Sequence, residues 1–354
     1  MSIHRKMSIH RNMCARILRL VLIGVIALVP SLADAACGAV SCFVVIGSQQ
    51  QVPQKGVLTV NGIYSYTPMS LPTGSTGRIP EVNVQTKRLI PGHHEEVATI
   101  TNTYTLDLNY GVTDQFGIEV TAPFLLRKHA HFHFHQGHRE DLIGFSDNGL
   151  GDMRITAKYN ILPTLTSMVV AGVGVDLPTG KNRSRDSQNN IMEPATQIGR
   201  GQVGLIGSLY QTYELIPHRL NQFSYVSYRH TFRNHDGYQY GDEYLVNFGL
   251  NLTTVDWLVF TQQINWRYQT QDNFYGINPA NTAIHNIDVP NTGSTFTAYT
   301  PGVLVSVQDW FQFYFYSQLP IARDANNNLA QDISYTFGIT KYFQLSGATP
   351  SPQS

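Results

Sequence analysis

Histidine is the residue type from which this sequence can build a chemical site. Of thirteen histidines, most sit in His93-His94-Glu95-Glu96 and in His129-Ala-His131-Phe-His133-Phe-His135-Gln-Gly-His138. Imidazole binds Zn, Cu and Ni through a neutral nitrogen. In an extended chain, residues two apart share a face. His129, His131, His133 and His135 would therefore project to one side, with Phe132 and Phe134 on the other. Three or four such ligands complete a site once neighbouring strands converge, and Glu95, Glu96, Glu140 and Asp141 can add oxygens. The run predicts a divalent-metal site formed with His93, His94 and His138, or a rim that senses pH through imidazole charging. It also reads as solvated loop residues with adventitious metal affinity. His218, His230, His235 and His285 are scattered and read as turn or loop residues.

The elements that must position these side chains are strands. Gly149 to Gly180 contains the clearest pair. Met153, Ile155, Ala157, Tyr159 and Ile161 alternate with Asp152, Arg154, Thr156, Lys158 and Asn160, and after Leu162-Pro163-Thr164-Leu165 the alternation resumes with Val169, Ala171, Val173 and Val175. Period-two alternation marks a strand with one apolar and one polar face. The polar face is too charged for a sandwich core, but it suits the wall of a water-filled barrel whose other side meets lipid.

Twelve such segments are predicted, near 55–67, 95–110, 115–126, 149–161, 167–178, 200–214, 221–233, 243–253, 257–271, 294–306, 310–320 and 331–343. Their connections alternate strictly between short turns and long Gly-, Pro-, Asn- and Asp-rich loops, at 68–94, 127–148, 179–199, 234–242, 272–293 and 321–330. Sorting by length is what an outer-membrane barrel does, with short periplasmic turns, long external loops and an even strand number. The predicted fold is all-β, a transmembrane antiparallel up-and-down β-barrel over 55–343 with a tail at 344–354 and both termini in the periplasm. A water-soluble β-protein is the alternative. On the barrel map the two histidine runs flank the first two external loops and meet at one rim.

Composition agrees. Charged residues make up only 14% of the 354-residue chain and the formal net charge is zero, so no basic field awaits nucleic acid. Tyr and Phe are plentiful, 19 and 17, as aromatic girdles require; Tyr110, Phe116, Tyr159, Trp257, Trp310 and Phe311 lie near strand ends. Beyond the first 35 residues there is no apolar run long enough for a spanning helix.

The N-terminus reads as an export signal over 1–35. It has a basic region (Arg5, Lys6, Arg11, Arg16, Arg19), an apolar run from Ile17 to Leu32 and a small-x-small cleavage site at Ala33-Asp34-Ala35. A retained anchor, or acylation of Cys37, is the alternative. The duplicated Met-Ser-Ile-His-Arg leaves Met1, Met7 or Met13 as starts. Residues 36–54 form a periplasmic lead-in or a plug folded into the barrel. Cys37 and Cys42 predict a small disulfide loop in an oxidising compartment.

Gly149-Leu-Gly-Asp152, Arg154, Lys158-Tyr159 and Asp176-Leu-Pro-Thr-Gly180 resemble the outer-membrane transporter-like family associated with the meta-pathway of phenol degradation. Tyr104-Thr-Leu-Asp-Leu-Asn-Tyr-Gly-Val-Thr-Asp114 and Val120-Thr-Ala-Pro123 resemble its preceding hairpin. The pattern spans about 95–343 and is sharpest in 104–180. The resemblance implies an outer-membrane barrel that takes up hydrophobic or aromatic compounds and has no catalytic residues.

The functional expectation is an outer-membrane transporter or channel for a small solute, either aromatic and hydrophobic compounds or metal ions, with outer-membrane lipid and the barrel-assembly machinery as partners. Asp107, Asn109, Asp152, Arg154, Lys158 and Asp176 are the expected lumen residues, as substrate contacts or wall-bracing ion pairs. No cofactor is required, with Zn, Cu or Ni possible at the histidines. One alternative is a non-conducting surface barrel that binds divalent metal. Another is an outer-membrane hydrolase, for which His230-Thr-Phe-Arg-Asn-His235-Asp236 has the residue types but no nucleophile motif.

Overall fold

The computed structural model describes residues 43–345 apart from 136–137, 165, 186–188 and 309–310. The expected signal peptide, the alternative starts, the Cys37–Cys42 pair, Trp310 and most of the 344–354 tail lie outside the described residues.

The described chain forms strands β1 (Val57–Ser70), β2 (Arg78–Asn83), β3 (Arg88–Gly111), β4 (Phe116–His135), β5 (His138–Leu150), β6 (Met153–Asn160), β7 (Ser167–Leu177), β8 (Gly204–Ile216) and β9 (Leu220–Thr231). They are followed by β10 (Tyr238–Gln239), β11 (Glu243–Val255), β12 (Leu258–Gln269), β13 (Asn273–Asn278), β14 (Asn281–Asp288), β15 (Ser294–Val307), β16 (Phe311–Asp324), β17 (Ala330–Gln331) and β18 (Ser334–Gln344). The wall is a closed ring of twelve antiparallel staves. β4 pairs with β6 from Phe116 to Thr121 and with β5 from Phe124 to His135, so β5 and β6 form one stave. Closure comes from β18 against β1, from Val57↔Gln344 to Tyr66↔Tyr335.

Alternation along the staves produces two unlike faces. On β6 Ile155 and Tyr159 are exposed while Thr156, Lys158 and Asn160 are buried. The same holds round the ring, where Leu106, Phe124, Val173, Leu209, Val226, Phe248, Ile264 and Phe313 all point outward and exposed. A water-soluble monomer rarely leaves so continuous an apolar belt uncovered; in a bilayer this belt is covered by lipid. Trp257, exposed beside a short turn, fits an interfacial girdle.

Three expected loops are largely strand. The hairpin arms of β3, β4 and β5 continue well past the belt, so residues 88–94, 127–135 and 138–148 are strand, and 272–293 carries the β13–β14 hairpin. Their side chains explain this. Val82, Val84, Leu89, Tyr238, Tyr240, Phe274, Ile287 and Val289 pack into a core of their own at the long-loop end, and that burial makes extended pairing favourable beyond the membrane.

Inside, large rings lie flat against neighbouring glycines. Tyr314 faces Gly338 and Tyr316 faces Gly302 across the ladder. A Cβ at either glycine would stand 2.1 Å from the opposing ring. The space above these rings holds the N-terminal segment. Val45 and Ile46 are buried, Ile46 packs on Tyr314 and Tyr316, and Val45 packs with Val170, Tyr210 and Phe223. Wall amides hold its backbone: Gln263 donates to Val45 O (2.9 Å) and accepts from Val45 N (3.2 Å), and Asn109 donates to Gln51 O (2.9 Å). Residues 43–51 thus lie in the lumen, and 53–54 pass the short turn at Gly111.

Candidate functional site

All six expected lumen residues face inward, and they form two bracing networks. In the first, Asp107 accepts from Asn61 (2.6 Å) and from Thr121 (3.1 Å). Lys158 pairs with Glu119 and donates to Gln49 O of the inserted segment. Asn109 completes the contact through Gln51. In the second, Arg154 makes a two-pronged pair with Asp176 (2.7 and 3.3 Å). Arg229 lies 3.7 Å from Asp176 and 2.9 Å from Glu243. Asp152 accepts the backbone N–H groups of Gly180 (3.0 Å) and Arg200 (2.7 Å), which fixes the start of one loop and the end of the same loop to the wall.

The described part of that loop, within 178–203, folds back over the lumen. Its 3₁₀ turn, Pro194–Thr196, is buried. Arg127 donates to Gln197 O (2.8 Å) and Tyr240 to Pro194 O (2.6 Å). Between this lid and the inserted segment lies a cavity of about 270 Å³. Its walls combine Val44, Ile46, Ile63, Leu125 and Ile198 with Arg127, Arg154, Arg200, Arg229, Asp152 and Asp176.

The histidines converge on the inner face of the β3–β4 ribbon, above the belt. They sit on strands rather than opening a loop, which is what the long ladder changes. His94 lies across from His133 and Glu96 across from His131, and directly opposed residues share a face. Ring centroids are 4.3 Å apart for His94–His131, 4.8 Å for His94–His133 and 5.0 Å for His93–His133. A bulge at Val97 sets the phase. Below it the odd residues Thr99, Thr101, Thr103, Asp107 and Asn109 are buried; above it the even residues His94 and Glu96 are.

Two ligand-type groups result: His93, His94 and His133, and His94, Glu96 and His131, each with one donor atom per residue within 4.8 Å of the others. His129 stands next to them, bonded to Thr99 Oγ1 (2.8 Å) and through Nε2 to His131 Nδ1 (2.9 Å). His138 is exposed on β5 and outside the cluster, and the His135 side chain is not among the described ones. Glu140 and Asp141 are likewise exposed, and Glu95 pairs with Arg139 at 2.6 Å.

Glu193, from the lid, is the partner that sequence spacing could not supply. Its carboxylate is 3.3 Å from His94 Nδ1 and accepts from Val82 N at 3.0 Å. Burial opposes charge on His94, but Glu193 foremost, then Glu96 and Glu81, outweighs it and holds His94 up at about 9. Burial, reinforced by Glu193, pushes Glu96 up to about 8. Burial first and neighbouring histidines second keep both His129 and His131 down at about 3, hence neutral at pH 7.

A closed twelve-stave wall with a lipid-facing belt and a charged, partly filled lumen is the architecture of an outer-membrane β-barrel. Within that class, residues 94–327, more than half of the chain, match the family described as "Putative MetA-pathway of phenol degradation", and the chain belongs to it. No curated protein matches the chain. Among solved structures, an outer membrane channel from Pseudomonas putida F1 is similar at a TM-score of 0.57 and 12% identity, over 85% of this chain and 100% of that one. A Pseudomonas aeruginosa FadL homologue gives 0.35 and 9%, over 82% and 90%. The CymD monoaromatic hydrocarbon channel gives 0.39 and 10%, over 82% and 90%.

Proposed function

We propose that the barrel admits small aromatic or hydrophobic solutes to the periplasm, with both termini on the periplasmic side and insertion by the barrel-assembly machinery. The observation that carries this reading is the occluded lumen. A general porin needs an open aqueous path, whereas here residues 43–51 and the 178–203 lid leave a chamber of about 270 Å³. A cavity of about 150 Å³ already takes benzene, so the chamber fits one substituted ring and excludes an oligosaccharide. Apolar Ile46, Ile63 and Leu125 meet the ring face, and the planar guanidinium groups of Arg127 and Arg229 can stack on it or bond a phenolic or carboxylate oxygen. The family's link to phenol degradation favours the same solutes. Metal ions as cargo fit less well, because four arginines line the chamber with Asp152 and Asp176 and only Glu243, paired with Arg229 at 2.9 Å, adds to those carboxylates at the second network, an excess of positive charge that disfavours cations.

The test is uptake into liposomes carrying the refolded barrel, comparing phenol and benzoate with sugars of similar mass. Entry of the aromatic solutes well above protein-free liposomes, with sugars excluded, supports the reading. Equal entry of sugars, or none of the aromatic solutes, refutes it.

A further inference from the structure

We propose that the inner face of the β3–β4 ribbon is a binding site for one divalent transition-metal ion, held by His94, Glu96 and His131. The family and the channel fold account for neither the imidazoles nor the buried carboxylate. Geometry makes the case. The three donor atoms lie within 4.8 Å of one another, and tetrahedral ligands with metal bonds of about 2.0–2.2 Å stand roughly 3.4 Å apart. Closing the difference takes side-chain rotation, not backbone movement.

The second observation is an orphaned atom. His131 is 7% exposed, and its Nε2 meets no hydrogen-bond partner among the described residues. Buried polar atoms are almost always satisfied, and an exception calls for a partner such as an ion or a bound water; the surrounding imidazole and carboxylate donors favour an ion here. Its other nitrogen is engaged, through His129 Nε2 and on to Thr99 Oγ1. If His131 donates from Nδ1 and His129 donates likewise to Thr99, Nε2 of His131 presents its lone pair to the site. His94 follows the same rule, with Nδ1 turned to Glu193 at 3.3 Å and Nε2 left for the metal. Metal-binding histidines characteristically anchor the second nitrogen on a carboxylate or similar acceptor.

Carboxylates complete the set. Glu81, Glu96 and Glu193 converge on this one cluster, in contact with His93 (3.2 Å), His129 (3.3 Å) and His94 (3.3 Å) respectively. The donor set, imidazole nitrogen with one carboxylate, selects Zn, Cu or Ni over Mg or Ca. His93 and His133 share His94 with the site and are placed to supply a fourth ligand. Because Glu193 belongs to the lid, the bound metal would also brace the 178–203 loop against the ribbon.

The experiment uses the full folded barrel in detergent, stripped with chelator, and titrates zinc calorimetrically with magnesium as control. One equivalent of zinc should bind, weakened at least about tenfold in H94A, E96Q and H131A and unchanged in H138A and H285A. Cobalt(II) should give an intense tetrahedral absorption in the unsubstituted protein, a readout that stands even where a variant fails to fold. Zinc binding that survives in all three ligand variants, binding no stronger than magnesium's, or an octahedral cobalt spectrum would overturn the proposal.

Discussion

His94 and Glu193 meet at 3.3 Å, and this contact joins the outer ribbon to the loop that lids the lumen. Glu193 also receives Val82 N, so one carboxylate links β2, β3 and the lid. Removing one partner of a largely buried pair costs about 3–5 kcal/mol. E193A should therefore release the lid while the wall stays folded. Protease cleavage within 178–203 should rise sharply, with the barrel still heat-modifiable on gels. A cleavage rate equal to that of the parent protein would show that the contact does not hold the lid.

The lid has a second tether whose strength depends on pH. Asp147 receives Lys181 Nζ at 2.7 Å and the Ser184 hydroxyl. It lies above the belt, since the outward side chains beside it, Lys128, Ser146 and Asn148, are polar and exposed. Burial alone would raise its pKa, but Lys181, then Ser184 and the Asn148 N–H, lower it below the usual carboxylate value. A carboxylate depressed in the folded state stabilises it fully above the unfolded pKa of about 3.9, and that contribution fades as pH falls through the lower folded value. Hydrogen exchange at 181–185, corrected for intrinsic rate, should accelerate below pH 4 and stay flat from 5 to 8. D147N should show the acid behaviour at every pH.

Asp176 balances two arginines, Arg154 and Arg229. D176N leaves both facing the chamber with less compensation. The residual conductance should shift toward anions, and R154Q should shift it the other way; reversal potentials across a salt gradient measure both. Identical selectivity in the two variants would mean that ions do not pass this pair.

The inserted segment rests on rings that need glycine beneath them. G302V places a side chain where the Tyr316 ring lies, and overpacking of this kind typically costs about 1–3 kcal/mol. Tyr316 must swing into the lumen and unseat Ile46. Single-channel conductance should rise in G302V, and more in a variant lacking 43–51. An unchanged conductance in the deletion would show that the segment is not what narrows the path.

Most of the wall was legible because a stave writes its two environments into alternate residues: Ile155 and Tyr159 toward lipid, Thr156 and Lys158 toward the lumen. The six lumen residues followed directly from that phase. Strand ends above the membrane were not legible. There the outward side chains turn polar, as at Lys128 and Ser146, and alternation loses its contrast although pairing continues. The histidine cluster was half visible. Spacing put His129, His131 and His133 on one face, but Glu193 comes from a loop with no periodicity. The placement of residues 43–51 in the lumen rests on Gln263, Asn109 and Gln318, whose amides donate to the backbone carbonyls of Val45, Gln51 and Phe43, and nothing within 36–54 itself signals those contacts. Whether Cys37 and Cys42 pair lies outside the described residues.

The bulge at Val97 has a consequence for how this rim can change over generations. The extra residue lets Glu96 and Thr99, three positions apart, both face the lumen, where strict alternation would turn one of them out. Losing Val97 would straighten the stave and leave Glu96 across from His131 and Thr99 across from His129. A regular strand that kept Val97 would instead carry His94 and Glu96 to the outside together. The rim therefore withstands the loss of this one codon but not the loss of the bulge around it.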